Sequence, residues 1–377
     1  MGVLFFTFWY PTKENPVLGI FIKNHAISIH QSGIPIQVLA VNVKPSKKIY
    51  HIFSEHIMDE NGIETHYIHI HSRFHKWIFS MPFILSKIIK LYISRYIEVK
   101  DVHTLHSNVL FPCGVVANSI VKKYNWIHVH TEHWSKMDHF IKSHPFGYLG
   151  KKTLREVKKI SAVSAFLKHK IIPFVNNPGK ISIIPNVINT SIFNLCDLPH
   201  KHETNVSIVF TAIATWNKPK CPIYFIQALN EIQLKSDFTI KLNIVGEGVL
   251  LDEIKALDIN FEINYIGKKS SFEIREIFQS THYFLHASTI ETFSVVIAEA
   301  LCCGIPVVAS NVGAIPELIN TSNGVLSENS VDSWVDAINK VLNTNFDRNL
   351  IASESAEKFN TQKVGDLFVE FYKNFEV

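Results

Sequence analysis

Residues 291–317 read ETFSVVIAEALCCGIPVVASNVGAIPE. From 295 to 303 the run is apolar around one carboxylate; it stops at Gly304, passes Pro306 and becomes the β-branched stretch 307–309. That order predicts a helix, a stop and a buried strand. Thr292 and Ser294 both carry the hydroxyl an N-cap uses, so Glu291 is expected in the loop ahead of the helix and Glu299 in its second turn. Both carboxylates then face one crevice. A helix N-terminus offers unpaired N–H groups and a positive dipole end, which suit sugar hydroxyls or a diphosphate. A carboxylate one or two turns later accepts hydrogen bonds from a ribose diol. Residues 311–317 form a turn-rich loop expected to enter another helix, with Pro316 near its first position. The stretch therefore reads as a nucleotide-sugar site flanked by two helix starts.

The rest of the chain bounds this reading. Its 377 residues suggest two domains at roughly 100–200 residues each. With 47% hydrophobic and 19% charged residues, it belongs among globular proteins with a large core. A net charge of +4 is too small for a nucleic-acid footprint, yet it suits an anionic substrate or membrane surface. Five cysteines without a CxxC or a paired framework read as reduced packing residues in the cytosol. The opening MGVLFFTFWYPT has no basic leader or small-residue cleavage site and is too short to span a bilayer, so it reads as a first buried strand.

Strands are predicted at 3–8, 36–41, 66–70, 102–105, 127–131, 160–163 and 181–184, with helices between them, the rhythm of a doubly wound sheet. The loop 9–19 leaves the edge of the first strand where such folds bind ligands, and Gly19 lets the backbone approach a bound group. Residues 76–96, KWIFSMPFILSKIIKLYISRY, are expected to form one helix, mostly core, with Lys76, Lys87, Lys90 and Arg95 available to a membrane surface. Histidines cluster at 66–75, at 103 and 106, and at 128–133, but those at 128 and 130 lack acidic or thiolate co-ligands nearby, so no metal site is assigned. The polar run 194–205 is expected to be a hinge. A second domain follows with strands at 206–213, 239–245, 263–266 and 283–287, helices at 222–233, 250–256 and 272–279, and two or three helices from 331 onward.

In Glu291-x7-Glu299, with Phe293, Ser294 and Val295 between and EA-LCCG-PVVAS-VGA-PE around it, the stretch closely resembles the donor signature of retaining GT-B glycosyltransferases of family 4. Gly313-Ala314 stands where that family usually has Gly-Gly. The loop at 9–21 and the run 109–133 are similar to the family's first-domain segments. The resemblance implies that Gly19 faces the donor diphosphate and that His133 meets the transferred sugar. In the loop 214–221, Lys220 falls on the family's lysine and Thr215 on its arginine, leaving Lys218 as a compensating cation for the diphosphate. Gly246 and Gly248 match the family's loop on the nucleotide edge, and Gly267-Lys268 the backbone that meets the base.

The expectation is thus an α/β protein of GT-B fold, two Rossmann-like doubly wound domains facing a central cleft. Residues 1–193 bind the acceptor, 194–360 the nucleotide-sugar, and a helix at 361–377 packs back on the first. His133, Lys220 and Glu291 are the catalytic candidates; Glu299 binds ribose. The resemblance implies a UDP- or GDP-sugar donor, a glycan or polyprenyl-diphosphate-linked acceptor, no cofactor or metal, and a cytoplasmic location, at the inner membrane face where the acceptor is lipid-linked. A GT-B epimerase or phosphorylase would need acid/base carboxylates or a pyridoxal lysine that are not evident. A non-catalytic glycan-binding scaffold remains the other reading of Thr215 and Ala314.

Overall fold

The structure, a computed structural model, describes residues 2–196 and 207–373. It divides into two compact units, residues 2–187 with 361–373, and residues 188–360. The first runs β1 (Gly2–Thr7), α1 (Ile20–Gln31), β2 (Ile36–Pro45), β3 (His51–Met58), β4 (Glu64–Ser72), α2 (His75–Phe79), α3 (Pro82–Tyr96), β5 (Val102–Asn108), α4 (Val115–Tyr124), β6 (Ile127–Glu132), α5 (Met137–Ser143), α6 (Gly147–Glu156), β7 (Lys159–Ala162), α7 (Ala165–Ile171) and β8 (Ile181–Ile183). The second runs β9 (Ser207–Ile213), α8 (Ile223–Gln233), β10 (Thr239–Val245), α9 (Leu250–Lys255), β11 (Glu262–Gly267), α10 (Ser271–Phe278), β12 (Tyr283–His286), α11 (Val295–Cys302), β13 (Val307–Ser310), β14 (Gly324–Ser327), α12 (Val331–Leu342) and α13 (Arg348–Phe359). Then α14 (Thr361–Tyr372) joins the first unit.

The first sheet has the order β3-β4-β2-β1-β5-β6-β7-β8, parallel except for β3 on β4; the second, β11-β10-β9-β12-β13-β14, is parallel throughout. Strand β1 shows why such strands read as unbroken apolar runs. Leu4 and Phe6 enter one core cluster and Val3 and Phe5 another, so both faces are covered. In the second unit Phe210, Leu242, Ile244 and Tyr283 build the sheet side of a core closed by Phe225 and Trp334. No helix among the described residues is long and apolar enough to cross a membrane.

Four expectations need correction. The helix expected over 76–96 is two helices, α2 and α3, because Pro82 occupies the first position of α3 and cannot continue a helix from the turn before it. Strand β3 is absent from the sequence reading, since its side chains are mostly exposed and it lacks an apolar run. The helix expected at Pro316 is a single turn, Ile315–Glu317, followed by β14. Asn323 Oδ1 takes the Asn320 N–H at 2.8 Å and its amide reaches Leu318 O at 3.0 Å, closing the turn before a second helical turn forms. The boundary lies after Val187 rather than after Phe193: Ile188 N–H bonds Phe359 O at 2.8 Å, and Phe193 packs on Phe278. Of the expected hinge 194–205, residues 197–205 lie outside the described residues, as do 374–377 of the expected last helix.

Candidate active site

In the second sheet the strand order reverses between β9 and β12, and doubly wound sheets open a crevice at such a point. The loops that leave these edges are bonded to one another. Trp216 N–H reaches Glu247 O at 2.8 Å, Leu250 N–H reaches Trp216 O at 2.9 Å, and Cys221 N–H reaches Ala287 O at 3.1 Å. The buried Trp216 ring anchors the group through its indole N–H to Val245 O at 3.0 Å. Gly246 (φ 113°) and Gly248 (φ 151°) are needed for this approach: a Cβ would lie 1.9 Å from Ala214 O at the first and 2.3 Å from Trp216 O at the second.

Stitched this way, the first loop delivers Lys220 to Glu291. The two form an ion pair, both mostly buried. His286, at the end of β12, lies 3.0 Å from Glu291 Oε1 and 3.2 Å from Lys220 Nζ, and Ser294 Oγ is 3.4 Å from the same ring nitrogen. Burial pushes the Glu291 carboxyl up, but the neighbouring His286 imidazole and the charge of Lys220 outweigh it and hold the carboxyl at about 2. Burial and then Lys220 lower His286, against the pull of Glu291, so the imidazole is neutral. Its Nε2 either donates to Glu291 or accepts from Lys220. The cluster therefore holds one cation and one anion, and an arriving anion competes with Glu291 for Lys220.

Helix α11 starts beside this pair. Ser294 occupies its N-cap position with φ 72° and ψ 83° but makes no side-chain cap, contrary to the expectation for it and Thr292, so the first N–H groups of the helix keep no side-chain acceptor. The loop after β13 closes the other side. Ala314 N–H bonds Glu291 O at 3.0 Å, and Gly313, at φ 59°, has no room for a Cβ, which would sit 2.2 Å from that oxygen. Ala314 itself has φ −92°, an ordinary angle for alanine, so the departure from Gly-Gly costs no backbone strain. Phe293 is buried edge-on against Phe359, and Val295 opens the helix half-buried.

Glu299 lies one turn further on. Part of its side chain reaches solvent, yet burial raises its carboxyl to about 8, so near neutral pH it is mostly protonated and can donate as well as accept. Thr215, Lys218 and Lys268 are exposed at loop tips, and Gly267 (φ 75°) has open space around it. Gly19 and His133 belong to the first unit. Gly19 starts α1 at φ 66°, pressed against Trp9 O, where a Cβ would lie 2.2 Å away. His133 is buried against Phe21 and His25, 3.4 Å from Asn108 Oδ1, and burial holds it neutral. Sequence reasoning overlooked His286. It carries the same signal that singled out His133, a polar residue closing an apolar strand at the ligand edge.

The comparisons with known proteins agree with this architecture. A model of glycosyltransferase family 4 matches residues 19–192, and one of glycosyl transferases group 1 matches residues 199–360. An uncharacterized glycosyltransferase of Methanocaldococcus jannaschii is 26% identical over 275 residues, 71% of this chain and 74% of that one. The UDP-Gal:alpha-D-GlcNAc-diphosphoundecaprenol alpha-1,3-galactosyltransferase of Escherichia coli is 29% identical over 221 residues, 52% of this chain and 56% of that one. Across the curated relatives named for a specific activity, the match spans 34–63% of their length. The apo form of the lipopolysaccharide outer core galactosyltransferase WaaB shares the fold, with a TM-score of 0.72 at 17% identity over 98% of this chain and 99% of that one. With its two halves matched in turn and its fold shared nearly end to end, the chain belongs to glycosyltransferase family 4 and is a glycosyltransferase of GT-B fold.

Proposed function

We propose that the protein moves a sugar from a UDP- or GDP-linked donor to a glycan or polyprenyl-diphosphate-linked acceptor, with retention at the anomeric carbon, in the synthesis of a surface polysaccharide such as a capsule, O-antigen or exopolysaccharide. The observation that carries the donor half is the Lys220–Glu291 pair beside the uncapped start of α11. As the bond from the anomeric carbon to the diphosphate breaks, charge grows on the leaving oxygens; in this reading Lys220 and the α11 N–H groups take it and no metal is required. The acceptor oxygen bonds to the anomeric carbon and its proton passes to the departing diphosphate. Glu291, held ionised and already engaged, suits a binder of sugar hydroxyls better than a nucleophile, which favours departure and attack on one face. Glu299 takes the ribose. A relative named for a UDP-Gal donor and a diphosphoundecaprenol-linked acceptor supports both halves.

The lipid-linked acceptor places the protein at the cytoplasmic membrane face, with α2 and α3 as the contact. Trp77, Phe83, Leu91 and Tyr96 are each more than half exposed there, with Lys76, Lys87 and Arg95 exposed among them. Lys90 instead turns inward to Ser119 at 2.7 Å and, with Lys122, Lys123 and Lys152, lines a cavity of about 450 Å³ suited to an anionic headgroup. A thermal-shift screen of UDP-, GDP- and ADP-sugars, followed by donor-dependent release of the nucleoside diphosphate, tests the donor assignment. Binding without turnover on any acceptor would favour the scaffold reading. Co-sedimentation with anionic vesicles at low and high salt tests the contact, each basic residue near the surface contributing about 1 kcal/mol. Indifference to vesicle charge would remove it.

A further inference from the structure

Strands β3 and β4 pair antiparallel in a register that sets His56 directly opposite His66. Glu64 lies two residues before His66 on β4 and shares its face of the hairpin. Glu64 Oε1 is 2.8 Å from His56 Nε2 and 3.5 Å from His66 Nε2, and the two imidazoles stack with centroids 4.5 Å apart. One ligand atom from each residue falls within 4.8 Å of the other two. His66 is 3% exposed, and its Nε2 makes no hydrogen bond. Its Nδ1 is held by Tyr92 Oη at 3.1 Å, while the second oxygen of Glu64 accepts from the Gln37 amide. A buried nitrogen with no hydrogen bond, 3.5 Å from a carboxylate oxygen and within 4.8 Å of a second imidazole nitrogen, carries a desolvation cost that a bound cation removes.

We propose that His56, Glu64 and His66 bind a divalent transition-metal ion, Zn²⁺ foremost, that clips β3 to β4. Two imidazoles and one carboxylate form a three-ligand zinc set, with water in the fourth position. Tetrahedral bonds near 2.0–2.2 Å space such ligands about 3.3–3.6 Å apart; the His66–Glu64 separation of 3.5 Å matches this and the His56–Glu64 separation of 2.8 Å needs a small opening. Tyr92 and Gln37 are the outer groups that orient a histidine and a carboxylate ligand. Such a clip would steady a weak edge: β3 is a sheet edge with no buried side chain, so apolar packing holds it weakly. On its opposite face Phe53, Glu55 and Ile57 line a cavity with Tyr67, Thr12 and Pro16, so the ion steadies one wall of that cavity. The site lies in the first unit, apart in sequence and chemistry from Lys220 and Glu291, and stands whether or not the proposed transfer reaction does.

The test uses the full chain, stripped with a chelator and titrated with Zn²⁺ by calorimetry and with Co²⁺ by visible absorption. One equivalent of Zn²⁺ is expected, with Co²⁺ giving the absorption of a four-coordinate site. His56→Asn, an exposed change that leaves the core untouched, weakens Zn²⁺ binding more than tenfold. Tyr92→Phe weakens it about tenfold while keeping the stoichiometry at one. His66→Asn abolishes it. The proposal is overturned if no stoichiometric binding is seen, or if affinity is unchanged in His56→Asn, which would place the ion on other surface histidines.

Discussion

Replacing Glu299 with glutamine isolates the cost of holding a carboxyl in apolar surroundings. In the folded protein this group titrates at about 8, against an ordinary value of 4.5. Above pH 4.5 the unfolded chain releases a proton that the folded chain keeps, so the folded state loses stability as pH rises, at about 1.4 kcal/mol per unit, until the folded group ionises near 8. Between pH 4.5 and pH 7 that sums to roughly 3 kcal/mol, an upper figure because part of the side chain reaches solvent. Glutamine has nearly the same shape and no charge to bury. Glu299→Gln is therefore expected to match wild type near pH 4.5 and to exceed it by up to about 3 kcal/mol at pH 7. Urea unfolding of both proteins at pH 5, 6, 7 and 8 reads the difference, in which the titration of other groups cancels. A difference that stays flat with pH would show that Glu299 ionises as a surface carboxylate does and would refute the argument. The same variant is expected to bind the free nucleoside diphosphate more weakly if the carboxyl meets the ribose.

Lys220→Ala is expected to cut donor-dependent release of nucleoside diphosphate by on the order of 100-fold, as loss of one charge-stabilising donor does elsewhere; wild-type kinetics would dismiss the residue from the reaction. Glu291→Ala is expected to spare binding of the bare nucleoside diphosphate, measured by calorimetry, and to weaken binding of the complete donor; equal losses for both ligands would contradict a sugar-binding role. Gly313→Ala is expected to destabilise the second unit by about 1–3 kcal/mol, because φ 59° and the Glu291 oxygen both oppose a Cβ, whereas Ala314→Gly is expected to cost less than 1 kcal/mol in the same unfolding assay.

The fold was readable where burial on both faces leaves a long apolar strand, as in β1, and where Gly and Pro punctuate such strands. It was unreadable at β3, whose exposed side chains follow no apolar pattern. At Pro82 the proline was visible, but the apolar periodicity on either side masked the break. The Glu291, Lys220 and Ser294 grouping lay within reach, because each residue sits at a predicted strand end or helix start on one sheet edge. His286 needed only the same rule applied again. The charge state of Glu299 was not legible, since it depends on what surrounds the carboxyl. Nor was the meeting of His56 with His66, which depends on the register of a strand the sequence does not announce.

Helix α14 has a consequence for how the molecule is made. It packs on α1, with Gly365 so close to Ser32 that a Cβ would lie 1.9 Å from its hydroxyl oxygen, and Tyr372 hydrogen-bonds His106 inside the first sheet. Phe368 and Phe371 share a core cluster with Val3, Phe5, Ile22 and Ile29. That cluster cannot close until residues 361–372 leave the ribosome, after the whole of residues 188–360. At 5–20 residues per second the interval is roughly 9–35 s. During it the nascent first unit shows the apolar ground between α1 and β1 to solvent, which leaves a stalled or truncated chain open to a holding chaperone or to aggregation there.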